Sequence, residues 1–245
     1  MGSLALLGVG CLILACMAVG LRLVALGARR RQLPELALGA SYLLFGAVGY
    51  PLGAVARASA AAGAIDAGSW LATALAIQNL GIVACYVFNA HVFRPGRSGA
   101  AVATVGAGLL LVSWLGHGVD PGWAGAESHG LWYYLGLGTR AAAFVWGAAE
   151  AFSYRARLER RVRVGLADAV VANRMLLWGT SYVLIALGFG VFAWGTRWSG
   201  GVNSPAVVLP LAACGVGAAT AMTLTFFPPA AYRRWLDRQA ERTSR

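Results

Sequence analysis

Apolar runs of about twenty residues recur along almost the whole chain, and in 245 residues they leave no interval long enough for a separate soluble domain. A helix needs about 20 such residues to cross a hydrocarbon layer of about 30 Å. Inside lipid the backbone must satisfy its own hydrogen bonds, so each run is read as a helix. The runs fall near 3–28, 35–58, 68–92, 99–117, 130–154, 169–196 and 205–228. The expected fold is therefore an all-α integral membrane protein: one domain over 1–245, a bundle of seven transmembrane helices followed by a basic cytoplasmic tail over 229–245. Composition agrees, with 59% hydrophobic and 12% charged residues, against about 25% charged in soluble domains.

Charge placement sets the expected orientation. No basic residue precedes the first apolar run, and Arg29, Arg30 and Arg31 follow it. That order suits a retained helix rather than a cleaved signal. One alternate set of connections, with the tail, holds 15 of the 20 basic residues, at Arg29 to Arg31, Arg94, Arg97, Arg155 to Arg163 and Arg233 to Arg245. The opposite set holds only Arg57 and Arg197. Because positive residues in short loops stay on the cytoplasmic side, the N-terminus is expected outside and the C-terminus in the cytoplasm of a plasma (inner) membrane. Trp70, Trp114, Trp123, Trp132, Trp194 and Trp198 all fall near the expected outer boundary, as anchoring indoles do.

The net charge of +11 does not point to nucleic acid, since the arginines are spread over four segments without interleaved aromatics. The expected partners are anionic lipids at the cytoplasmic face and a cytoplasmic protein at the 155–163 loop. All four cysteines lie inside expected helices, so they read as packing residues rather than disulfides.

An offset of 140 residues aligns Gly39, Ser41, Tyr42, Leu44 and Arg57 with Gly179, Ser181, Tyr182, Leu184 and Arg197. The same offset continues from Leu71, Ala72, Ala90 and Arg94 to Leu211, Ala212, Ala230 and Arg234. The aligned helices run in the same direction, which gives a parallel 3+1+3 internal repeat around the fourth helix.

An ionisable side chain at mid-membrane costs about 2.5 to 3.5 kcal/mol on insertion scales, so each requires a reason. Arg140 lies near the middle of the fifth expected helix, on one face with Tyr133, and has no carboxylate at its depth. The third helix carries Gln78, Asn79, Tyr86 and Asn89 within about 100° of arc, turned toward the bundle interior. With Tyr182 of the sixth helix, these residues outline an outer-half pocket: Arg140, Tyr133, Gln78, Asn79, Tyr86 and Tyr182. Pro51, between Tyr50 and Leu52, marks an expected kink in the second helix. Near the cytoplasmic ends, Glu150, Arg174, Asn173, Asn89 and His91 are expected to form a lock or a switch, with Glu150 paired to Arg174.

Metal-ligand types cluster at His117, Asp120, Glu127 and His129, but their spacing matches no dedicated zinc pattern and a glycine-rich loop holds ligands poorly. Two histidines at one side and His91 at the other do not bracket a haem. The chain has no lysine, which excludes a retinal Schiff base despite the seven-helix layout. Neither a nucleophile elbow, nor a His-Glu-x-x-His helix, nor a phosphate-binding Gly-x-x-x-x-Gly-Lys loop is present. The leading expectation is a receptor-like sensor that binds a small anionic or amphipathic ligand, without a cofactor and without catalysis. The alternatives are a small-solute transporter or channel and a non-catalytic scaffold.

Overall fold

The computed structural model describes residues 2–119, 123, 130–164, 166–198, 204–232 and 234–236. Among these the chain is helical throughout, without a strand. The elements are α1 (Gly2–Arg30), α2 (Leu33–Ser41), a π-helical run (Tyr42–Gly49), α3 (Tyr50–Ala61), α4 (Ala67–Phe93), α5 (Arg97–Val119), α6 (Leu131–Arg163), α7 (Ala169–Trp198) and α8 (Pro205–Phe226). Six stretches are long and apolar enough to cross a membrane: Leu7–Arg30, Leu33–Ala61, Ala67–Phe93, Arg97–Val119, Val170–Gly195 and Pro205–Phe226. Large apolar side chains such as Leu14, Leu21, Val105, Leu111, Leu187 and Leu209 stand exposed on the outside. Water would penalise so continuous an apolar surface, whereas lipid would not.

Helix α6 is the exception. Arg140, Glu150 and the arginines beyond dilute its apolar character, yet it is the longest element at 33 residues, about 50 Å at 1.5 Å per residue. The sequence places a loop over 155–163; the structure instead continues the helix to Arg163. Arginine, alanine, leucine and glutamate are strong helix formers, no glycine or proline interrupts them before Gly165, and Arg155 pairs with Glu159 one turn on at 2.6 Å. Of the expected tail over 229–245, Ala230 to Tyr232 and Arg234 to Leu236 are helical, and the remainder from 237 lies outside the described residues.

Pro51 produces the other irregularity. It has no N–H to donate, and its ring crowds the carbonyl four residues back. The expected kink takes the form of eight residues of π-helix just before it, with the Tyr50 N–H donating to the Phe45 carbonyl five residues back. Small residues let neighbours approach this widened segment. Gly46 meets Cys16 of α1, Gly49 meets Gln78 of α4, and Gly81 of α4 lies against the Phe45 backbone.

The helices form a ring. α1 packs on α2 and the π-helical run, these and α3 pack on α4, α4 touches α6, α6 packs on α7, α7 on α8, and α8 closes back on α1. α5 lies outside the ring, across α4 and α6. Upper here denotes the end of the bundle at which α1 begins. The lower half of the ring is filled by fully buried Tyr182, Phe144, Ile82, Asn89 and Met222.

The glycines give a direct check of this packing. A Cβ on Gly81 would lie 2.5 Å from the Phe45 nitrogen, whereas one on Gly108 meets nothing within 4 Å. Gly81→Ala is expected to destabilise the fold by about 1–3 kcal/mol, as overpacking does. Gly108→Ala is expected to be neutral or to stabilise by up to about 1 kcal/mol through helix propensity. Thermal melts of the two purified variants would test the pair.

Candidate functional site

Each helix of the ring turns one stripe of residues toward its axis. α1 contributes Val9, Leu12, Ile13 and Cys16; α8 contributes Leu211, Cys214, Gly215 and Ala218; α7 contributes Leu184, Ile185, Gly188, Phe189 and Phe192. These spacings of three, four and seven are the signature of a single helical face. The second span adds Tyr42, Phe45, Gly46, Tyr50 and Arg57, α4 adds Leu75 and Gln78, and α6 adds Tyr133, Leu137, Arg140 and Phe144. Together they line a cavity of about 160 Å³ in the upper half of the ring.

Arg140 is the charged group deepest in this cavity, about 14 Å along α6 from Leu131 at 1.5 Å per residue. It is 9% exposed. Its Nε donates to Asn79 Oδ1 at 3.0 Å. The only ion pairs among the described residues are Arg94 with Glu150 and Arg155 with Glu159, so no described carboxylate neutralises Arg140. A guanidinium presents five N–H donors in a planar fork that matches carboxylate geometry.

Asn79 is itself fixed. Its Nδ2 donates to the Leu110 carbonyl of α5 at 3.3 Å, which leaves Oδ1 turned to Arg140. The other members of the α4 arc behave alike. Gln78 donates to the Gly49 carbonyl of the π-helical run at 2.7 Å, Tyr86 to the Thr139 carbonyl at 2.8 Å, and Asn89 to the Ala143 carbonyl at 2.9 Å. All four side chains are buried.

Of the six residues expected at a ligand, Arg140, Tyr133 and Gln78 line the cavity, and Asn79 stands one hydrogen bond behind it. Tyr86 and Tyr182 are not lining residues. The hydroxyl of Tyr86 is committed to Thr139, beside Arg140. Tyr182 is sealed below, edge-on to Phe144 at 5.2 Å and with its hydroxyl 3.6 Å from Cys85 Sγ. Sequence reasoning assigned Arg57 to a connection, whereas it lines the cavity with its Cζ 5.9 Å from the centre of the Phe192 ring. The signal was present in the spacing of Tyr50, Gly53 and Arg57 on one helical face.

At the lower end the expected network resolves into separate contacts. Glu150 pairs with Arg94 at 2.6 Å and accepts from Trp146 Nε1 at 3.3 Å, rather than pairing with Arg174. The reason is position: α4 touches α6, so Arg94 at the end of α4 reaches Glu150, while Arg174 stands exposed on α7. Asn173 donates to the Tyr232 hydroxyl at 2.8 Å, and His91 is exposed.

Among the metal-ligand types, Asp120, Glu127 and His129 lie outside the described residues. His117 is buried, its ring 5.3 Å from that of Trp123.

Compared with protein families, with curated proteins and with solved structures, the chain gives no match.

The ion pair at the lower end gives a measurable contrast. In a double-mutant cycle of Arg94→Ala and Glu150→Gln, the coupling energy is expected to be about 1 kcal/mol, as for a pair with one side in water. The same cycle with Arg174→Ala is expected to give no coupling. Thermal or chemical denaturation of the purified variants would read both.

Proposed function

We propose that this protein is a receptor-like sensor of the plasma (inner) membrane with seven transmembrane helices, α6 being the crossing beyond the six apolar ones. Its N-terminus lies outside and its tail in the cytoplasm. The upper cavity then faces the outer half of the membrane and binds a small anionic or amphipathic ligand against Arg140. The observation that carries this reading is the pairing of a buried guanidinium with an open volume and no described carboxylate. An ion held out of water without a counter-ion is costly. The Asn79 amide supplies one acceptor, and an anion entering the cavity would supply the rest.

The filled lower half favours binding over passage. Tyr182, Phe144, Asn89 and Met222 are packed across the ring beneath Arg140; on α8 and α6 the cavity lining ends at Ala218 and Phe144, while Tyr42 of the second span reaches lower, edge-on to Phe226 at 6.3 Å. A ligand held on α6 acts on the same helix that presents Arg155, Arg157, Arg160 and Arg161 at its far end. That basic helical end is the proposed surface for a cytoplasmic partner protein and for anionic lipid headgroups. The proposed parallel duplication is supported by the alignment at offset 140 and by the burial of both Tyr42 and Tyr182 in one core cluster. The continuous α7 lacks the π-helical run of its counterpart.

Anions that bind should raise the melting temperature of the protein in uncharged nanodiscs. A ligand at 100 times its Kd stabilises by about 2.7 kcal/mol, and this gain is expected to vanish in Arg140→Gln and to persist in Arg174→Gln. A panel that shifts neither protein, or shifts both equally, rejects the site. Liposomes holding the protein are expected to pass none of the stabilising anion; flux would reassign the protein as a transporter.

Orientation has its own check. In a background without native cysteines, Ile65→Cys should react with an impermeant maleimide added outside whole cells, and Leu166→Cys only after lysis. Both positions are highly exposed, at opposite ends of the bundle. The reverse pattern would invert the topology and place the cavity on the cytoplasmic side.

A further inference from the structure

The cavity is two-sided. Its polar groups, Arg140, Tyr133, Gln78, Tyr42, Tyr50 and Arg57, come from the π-helical run, α3, α4 and α6, whereas the walls from α1, α7 and α8 offer only aliphatic and aromatic carbon, glycine, Cys16 and Cys214. A small hydrophilic anion would leave half of this lining against its hydration shell. An apolar body joined to one anionic group satisfies both walls.

The ring also has a seam. Low in the bundle α1 lies against α2, where a Cβ on Gly20 would meet the Gly39 carbonyl oxygen at 3.1 Å. High in the bundle its close contact is with α8: a Cβ on Gly8 would lie 2.5 Å from Ala212 Cα, and one on Gly215 2.8 Å from the Gly8 carbonyl oxygen. At the lower end α1 keeps α8 as well, with Arg22 donating to the Phe226 carbonyl at 3.0 Å, so what changes along α1 is its contact with the second span. Its packing on the second span covers α2 and the π-helical run, and among the described residues α3 packs on α4 and that run instead. Gly10 lies about 200° around α1 from Gly8 at 100° per residue, on the flank turned away from α8, and a Cβ there meets nothing within 4 Å. The seam between α1 and α3 therefore stands beside the cavity, facing the lipid.

We infer that the ligand is an anionic amphiphile, a carboxylate on a short apolar chain, which reaches the cavity from the bilayer between α1 and α3 and docks its carboxylate on Arg140. This rests on the proposed anion-binding role of the cavity. A volume of about 160 Å³ is close to the roughly 150 Å³ of an apolar protein cavity that takes up benzene, so one short single chain fits and a double-chained lipid does not. The planar guanidinium fork selects carboxylate by two parallel hydrogen bonds. The wall of α1, α7 and α8 takes the chain.

Octanoate is the probe. Equilibrium dialysis of labelled octanoate against the protein in phosphatidylcholine nanodiscs, with empty nanodiscs subtracted, should show saturable binding of one molecule per chain. Octanol, acetate and inorganic phosphate should each compete at least tenfold more weakly. Arg140→Gln should weaken binding at least tenfold while far-UV circular dichroism shows the helical fold retained. Gly10→Trp, which fills the seam, should slow association at least tenfold and leave Kd within twofold, because a narrowed route slows binding and release alike.

Equal competition by octanol would overturn the role of the carboxylate. Acetate or phosphate binding without octanoate binding would overturn the amphiphile while leaving an anion site, and no binding by any anion would remove both. An unchanged association rate in Gly10→Trp, with octanoate still bound, would overturn the route from the bilayer.

Discussion

Helix α4 commits four buried side chains to the backbone carbonyls of three other segments, and the geometry of the whole bundle follows from those commitments. Gln78 reaches the π-helical run, Asn79 reaches α5, and Tyr86 and Asn89 reach α6. Measured interhelical hydrogen bonds in membranes average only about 0.6 kcal/mol, so their sum is modest. Leaving such groups without partners in an apolar interior costs several kcal/mol each. The larger effect is therefore on register: a slip of one residue in α4 would orphan all four at once. Close approach makes the bonds reachable, since Gly81 and Gly49 carry no side chain where α4 meets the π-helical run.

The same helix determines the electrostatics of the cavity. By donating to α5, Asn79 turns its carbonyl oxygen to Arg140. That bond orients the guanidinium without neutralising it, because an amide oxygen carries a dipole and not a charge. Below the arginine, aromatic rings close the axis: Phe144 meets Tyr182 edge-on, and Trp178 stacks on Phe88 at 4.9 Å. Dense packing beneath and open volume above place a positive charge at the floor of a small chamber.

Much of this was legible in the sequence. Six of the seven apolar runs correspond to helices of membrane-crossing length and apolarity, and the inward arc of α4 followed from 100° periodicity alone. Arg140 stood out because charge inside an apolar run is expensive. The parts that were not legible depend on which helices are neighbours. Glu150 chose Arg94 over Arg174 because α4, not α7, brings its terminal arginine to that carboxylate. Tyr86 shared the right depth with Arg140 and Tyr182 faced the interior below it, but their hydroxyls were already occupied by Thr139 and Cys85. The π-helical run could not be read from Pro51, since proline shows where a helix is disturbed and not how the strain is distributed. The extension of α6 was hidden by reading arginine as a loop marker, although it is also a good helix former.

One helix thus joins two environments. From Arg140 to Arg163 α6 runs without interruption, a distance of about 35 Å at 1.5 Å per residue. A rod of that length magnifies angle: a tilt of about 5° at the arginine displaces the far end by about 3 Å, close to the width of one side chain. A hydrogen bond gained or lost at the buried end is too short-ranged to be felt directly at the basic tip. In the proposed sensor the stiffness of the helix would convert it into a movement of charge at the basic end.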